Sequence, residues 1–270
     1  MENVPGVGRR SFEREDQFMK PLSLQRTHGF TRVELLVVIL VLIVLFILFA
    51  PLDFFYSGKS KAQQLACLDN LHQIGRAYRI WAGDHGDSMP ASTSITNGGW
   101  EEFLKNPNQG AVCWTNYAII AVDLGGAPRM LLCPADDRNS AEFFTTGGKT
   151  NEAGVGVFKD NATLSYFVAP DASDKYPAGI LGGDRNLGPG TVPHDDYGYS
   201  PSNGQGNDVI INGPVCWSLK MHSAGDPAGL GNILLGDGSG QKTSTATFNT
   251  FRMNAEETST NHPGIRLIFP

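Results

Sequence analysis

Apolar positions follow three different rhythms along this chain, and each rhythm predicts a different kind of element. From Leu35 to Ala50 every residue is apolar. A helix in a soluble core keeps some polar face, so a run apolar on every side predicts a helix surrounded by lipid. With its flanks, Phe30 to Leu52 makes about one bilayer crossing at ~1.5 Å rise per residue. The run carries Arg32 and Glu34 near its start. An ionisable group within a span is costly there unless it finds a partner. Pro51 follows the run. Proline removes one backbone hydrogen bond from a helix and kinks it.

The second rhythm is amphipathic. Cys67, Leu71, Ile74, Tyr78 and Trp81 recur at spacings of three and four, the signature of one apolar helical stripe. Lys61, Gln63, Asp69, Gln73, Arg76 and Arg79 lie opposite, and Gly83, Gly86 and Pro90 end the pattern. Read as one helix kinked at Pro51, residues 30 to about 82 would extend roughly 80 Å. Residues 30–52 are its transmembrane half and 53–82 its amphipathic continuation.

Beyond Gly83 the third rhythm sets in. Short apolar runs alternate with clusters of Gly, Pro, Asn and Asp: "MLLCP", "LSYFVAP", "AGILGGD", "VCWSL" and "NILLGDG". These predict short strands joined by long loops. "NILLGDGSGQKTSTATF" reads as a hairpin turning at Asp237-Gly238. The fold class expected is α+β: a long N-terminal helix packed by its stripe on a small, loop-rich antiparallel sheet within residues 83–270. Residues 1–29 are polar and mixed in charge, with Pro5 and Pro21, and read as an unstructured leader.

Composition narrows the function. The 270-residue chain has a net charge of -6, which argues against nucleic acid as a partner. No fixed-period repeat is present, so a solenoid is not expected. An ordinary secretory signal has a shorter apolar region followed by a small-residue cleavage site. Here no such site follows the run, so the expected cut lies ahead of it. Basic residues stand on both sides of the apolar core (Lys20, Arg26 and Arg32 before it, Lys59 and Lys61 after) and leave its orientation open. The four cysteines, Cys67, Cys113, Cys133 and Cys216, all follow the span. They form no CxxC pair, which speaks against zinc. Two disulfides, with three pairings allowed, stand against four buried thiols. We expect Cys67 to be linked within this region, with Cys133 chosen as its partner.

The junction "GFTRVELLVVI" resembles the prepilin signature of type IV pilins and type II secretion pseudopilins. The resemblance covers about 25 residues and implies processing by a membrane-embedded prepilin peptidase. The cut would follow Gly29, Phe30 would become the N-methylated first residue, and Glu34 would become the fifth. Pro51 would fall at mature position twenty-two, where many pilins carry a helix-loosening proline. Thr31 and Arg32 sit where members vary. The resemblance also implies the partners: other pilin or pseudopilin subunits in a filament, and the inner-membrane platform of a secretion system. It implies a single-pass inner-membrane protein with a periplasmic C-terminal domain.

A weaker resemblance runs through "CLDNLHQIGRAYRIWAGDHGDSMP", "LLCPADDR", "LSYFVAPDAS", "GILGGDRN" and "HSAGDPAGLGNILLGDGS", which look like bacterial pseudopilin-like proteins. Many of these end in His, nine residues, then Asp-Gly. Here fourteen residues separate His222 from Asp237-Gly238. The extra length, in "GDPAGLG", reads as a loop insertion.

Other chemistry is weakly signalled. Some major pseudopilins hold calcium in a C-terminal loop, and Asp84, Asp87, Asp136, Asp137, Asp195, Asp196 and Asp237 are rich enough to raise the idea. They lack the alternate spacing of an EF-hand, and aspartate is a common turn former. No HExxH-like spacing joins the histidines, and Ser239 lacks a nucleophile-elbow context. Trp81, Trp100, Trp114 and Trp217 could form a sugar platform or simply fill a core. "NAT" at Asn161 is a glycosylation sequon by pattern. No cofactor and no enzymatic activity are expected. A filament subunit is the first reading. An anchored extracytoplasmic protein that binds a polysaccharide or other solute is the second.

Overall fold

The computed structural model describes residues 29–49, 52–105, 113–144, 156–173, 175–223, 227–256 and 263–270. Residues 1–28, the expected leader, and the expected kink at Pro51 lie outside the described residues. The chain divides into two units, residues 1–50 and 51–270.

The first unit contributes helix α1, Arg32–Phe49, none of whose residues is buried. Its apolar side chains project on every face, Leu36 and Leu48 among them. In length and composition α1 is able to cross a membrane, a test that a signal sequence near an N-terminus also passes.

The second unit is α+β. Helix α2, Leu52–Asp84, is followed by α3, Glu101–Leu104, and α4, Cys113–Ile119. Among the described residues ten strands follow: β1 Phe143–Phe144, β2 Val157–Phe158, β3 Tyr166–Val168, β4 Ile180–Asp184, β5 Leu187–Pro189, β6 Asn207–Ile211, β7 Val215–Trp217, β8 Leu230–Leu235, β9 Gly240–Ser244 and β10 Ile265–Phe269. Helix α5, Thr245–Glu256, lies between β9 and β10. Six strands form the main sheet in the order β6-β10-β3-β4-β8-β9, with every neighbouring pair antiparallel. β5 and β7 form an antiparallel pair, and β1 and β2 a short parallel one.

The stripe of α2 is buried along its length, from Cys67 through Leu71, Ile74 and Tyr78 to Trp81, while Lys61, Asp69, Arg76 and Arg79 face solvent. The helix packs on the β8–β9 hairpin. This contact depends on Gly75. A Cβ there would stand 2.7 Å from the carbonyl oxygen of Gly238 and 2.7 Å from Leu234 Cδ1. The turn itself is the expected one. Gly238 adopts φ +83°, Asp237 Oδ1 accepts from the Ser239 amide at 2.8 Å, and Arg79 Nη1 donates to Asp237 O at 3.0 Å.

Three local expectations are corrected. "MLLCP" is not a strand: Pro128–Leu131 forms a 3-10 turn, with Pro128 at its start. The hairpin's return strand ends at Ser244, and "TATF" enters α5 instead. Ser244 caps that helix, its Oγ accepting from the Thr247 amide at 3.3 Å. Strands β6 and β10 were not anticipated, although β10 pairs with two neighbours and is largely buried.

Gly75→Ala should destabilise the second unit. The gain in helix propensity is about 1 kcal/mol. Forcing a methyl against the hairpin backbone costs about 1–3 kcal/mol or more. A lowered urea-unfolding midpoint is the expected result; a midpoint equal to or above wild type would show that the turn can yield.

Candidate functional site

At the N-terminus of α1, Gly29 and Phe30 are non-helical and exposed, and Thr31 caps the helix. Thr31 Oγ1 accepts from the Glu34 amide at 3.2 Å. Glu34 Oε2 accepts from the Thr31 amide at 2.8 Å and from its hydroxyl at 2.9 Å. This reciprocal arrangement is a capping box. The Thr-x-x-Glu pattern is present in the sequence, at a position where the prepilin resemblance implies variation. Glu34 therefore has an intrachain partner, and the exposed Gly29–Phe30 bond lies just outside the helix.

In the second unit, residues from four places in the sequence converge in the core. Cys67 comes from α2, Cys133 from the segment after the 3-10 turn, Asp184 from the end of β4, and His222 from the Met221–Ser223 turn. Cys67 and Cys133 are joined as a disulfide, with Cα atoms 5.1 Å apart. His222 Nε2 lies 3.2 Å from Asp184 Oδ2 and 3.4 Å from Cys133 Sγ. Asp184 Oδ2 also accepts from the Asn232 amide at 2.7 Å. Met221, before the histidine, takes the left-handed conformation at φ +57°, a strained choice for a residue with a side chain. Among the described residues, Asp184 Oδ1 and His222 Nδ1 are buried without a hydrogen-bond partner. Such orphan groups cost about 1–3 kcal/mol each and call for an explanation.

Beside this set lies a buried ion pair. Arg185 donates from Nε to Asp136 Oδ2 and from Nη2 to Asp136 Oδ1, each at 2.7 Å, and its Nη2 also reaches Asp137 Oδ1 at 2.8 Å. The guanidinium lies over the Tyr197 ring, 3.4 Å from the centroid. Burial alone would raise the Asp136 carboxyl. The Arg185 hydrogen bonds and charge, with the Ser165 hydroxyl donating at 2.6 Å, hold it down at about 2. Arg138 donates to the carbonyls of Asn161, Leu164, Pro201 and Pro270. Burial lowers its guanidinium to about 10. The "CPADDR" segment thus works as a structural hub, and its aspartates are engaged within the protein.

Cys113 and Cys216 are buried thiols. Cys113 Sγ donates to Ile268 O at 3.2 Å, and burial pushes its thiol far up; burial also raises Cys216. Trp81, Trp100 and Trp217 are core residues, which excludes them from an exposed sugar platform. Asn161 of the sequon is buried, with Oδ1 accepting from the Trp114 amide. A cavity of about 570 Å³ opens elsewhere, lined by Asp87, Glu101, Lys105, Asp171, Lys175 and Arg266 among others.

Comparison with protein-family models, curated proteins and solved structures finds no match to this chain.

The Asp136 geometry has a pH signature. Its folded value lies below the ordinary 3.8, so its contribution to stability is complete above that value and is lost as pH falls toward about 2. Asp136→Asn should cost about 3–5 kcal/mol at neutral pH by leaving Arg185 poorly matched. It should also flatten the acid limb of stability. Urea midpoints measured from pH 6 down to pH 2.5 test both; identical acid limbs in variant and wild type would remove Asp136 from this role.

Proposed function

We propose that the chain is a processed, membrane-anchored subunit of a type IV pilin-like filament, such as a type II secretion pseudopilus. One observation carries the reading: an exposed Gly29–Phe30 junction leads directly into a helix apolar on every face, with Glu34 as its single acidic residue. A simple tether needs neither that junction nor that carboxylate.

The mechanism is assembly, with no catalytic step. Cleavage after Gly29 gives Phe30 a new α-amino cation. In hydrocarbon, an unpaired ammonium and an unpaired carboxylate are both costly, so the amine of one subunit and Glu34 of its neighbour attract strongly. The attraction sets the axial register of adjacent subunits, while the apolar surfaces of α1 pack together. Glu34 must leave its Thr31 contacts, or share them, when a neighbour arrives. That exchange costs about 0.5–2 kcal/mol, the worth of a cap, and is smaller than the energy of the new pair. The protein would reside in the inner membrane, crossing it once, with residues after the span outside the cytoplasm. Its partners would be the prepilin peptidase, other filament subunits and the secretion platform.

The cavity favours a second reading, an anchored binding protein for a polar solute, because its size suits a small molecule and both charge signs line it. Filament assembly separates the two readings.

Mass spectrometry of the mature protein should begin at N-methylated Phe30; a retained Met1 leader in a host with active prepilin peptidase would refute the processing. Glu34→Ala should insert normally and abolish filaments. Thr31→Ala, which removes the cap and keeps the carboxylate, should still assemble. Equal loss in both variants would mean that capping, not intersubunit pairing, is what Glu34 provides.

A further inference from the structure

The buried set around His222 has more polar chemistry than a structural disulfide requires. A disulfide needs no imidazole or carboxylate beside it. Yet Asp184 and His222 are drawn into the core against Cys133, and the histidine follows a strained residue. One ligand atom from each of Cys67, Cys133, Asp184 and His222 lies within 4.8 Å of all the others. Among the described residues this is the set of His, Cys and Asp that converges so tightly.

We propose that, with the Cys67–Cys133 bond reduced, these four residues form a tetrahedral Zn²⁺ site. Zinc bond lengths of about 2.0–2.1 Å to N or O and about 2.3 Å to S set the edges of such a tetrahedron at about 3.4 Å for N to O and about 3.6 Å for S to N. The corresponding distances here are 3.2 Å from His222 Nε2 to Asp184 Oδ2 and 3.4 Å from His222 Nε2 to Cys133 Sγ. Two edges are thus already near their final length. The sulfurs must part to about 3.8 Å once unbonded, and the other three edges start within 4.8 Å. The donor set of two thiolates, an imidazole and a carboxylate suits zinc. The sequence offered no CxxC spacing because each of the four ligands comes from a different element.

The step balances as follows. A dithiol reductant exchanges with the protein disulfide; two electrons and two protons pass to Cys67 and Cys133, and the reductant leaves as its own disulfide. Zn²⁺ then binds the two thiols, releasing two protons, together with neutral His222 and the Asp184 carboxylate. Disulfide and metal are mutually exclusive, and both tie α2 to the segment carrying Cys133. The unit therefore keeps one staple in either redox state, and because the set is fully buried the ion enters as the chain folds.

The test uses the full chain in detergent. It is unfolded with a phosphine reductant, which takes up oxygen from water as it reduces the disulfide, and refolded by dilution with Co²⁺ as the spectroscopic probe. A parallel sample omits the reductant. The reduced chain should bind one Co²⁺, with the visible bands of tetrahedral cobalt and sulfur-to-metal charge transfer, and excess Zn²⁺ should displace it. The unreduced chain should bind none. His222→Gln and Asp184→Asn should each weaken uptake at least tenfold, judged only in variants whose unreduced form folds with the disulfide intact by circular dichroism and peptide mapping. Cys216→Ser, which removes a thiol outside the set, should leave uptake unchanged. No uptake by the reduced wild-type chain overturns the proposal on its own. Undiminished uptake in both the His222 and Asp184 variants overturns it as well, because the thiols alone would then be collecting metal.

Discussion

The second unit is organised around one face of α2 that must be kept from water. Five side chains, Cys67, Leu71, Ile74, Tyr78 and Trp81, lie on that face and are all buried. Apolar burial is non-directional, so it draws the sheet toward the helix without fixing the fit. The fit comes from contacts that tolerate little change. Gly75 lets the β8–β9 turn touch the helix backbone, and Arg79 holds the turn's carbonyl. Toward the other end, Cys67 binds Cys133, while Gln63 donates to Pro134 O and Asn70 to Leu132 O. One helix face thus places both the hairpin and the "CPADDR" hub.

That hub connects the helix to the sheet through polar groups. Ser165, next to β3, donates to Asp136 and accepts from the Cys133 amide. Three successive buried residues at the end of β4 then serve separate sets of partners. Asp184 meets His222, Arg185 meets Asp136, and Asn186 donates to the carbonyls of Ser218, Lys220 and Leu230. Buried polar groups of this kind are costly when wrongly matched, so they discriminate against alternative packings more sharply than apolar contacts do.

Helix periodicity was legible because burial acts on a whole face at once; the stripe of α2 and the apolar run of α1 needed no tertiary information. The Asp237-Gly238 turn was legible because its chemistry is local. "MLLCP" misled because an apolar run has no periodicity of its own, and Pro128 decided it. "TATF" misled because threonine favours strands while the Ser244 cap favours helix, and the cap won. β6 and β10 were missed because "NDVII" and "IRLIF" gain their strand character from pairing with each other across more than fifty residues. At the candidate sites, the Thr31–Glu34 box was readable from four consecutive residues. The meeting of Cys67, Cys133, Asp184 and His222 was not, since it exists only after the sheet has formed on the helix.

The two remaining thiols complete the picture of how the cysteines are kept apart. Disulfide exchange begins with a thiolate, and burial holds Cys113 protonated far above neutral pH while its sulfur donates to the backbone of β10. Cys216 is likewise buried and raised, with its sulfur donating to the carbonyl of Val192. Neither can attack the Cys67–Cys133 bond while the unit is folded. The folded state thus protects its own covalent connectivity from scrambling, and any mispairing has to arise in the unfolded chain.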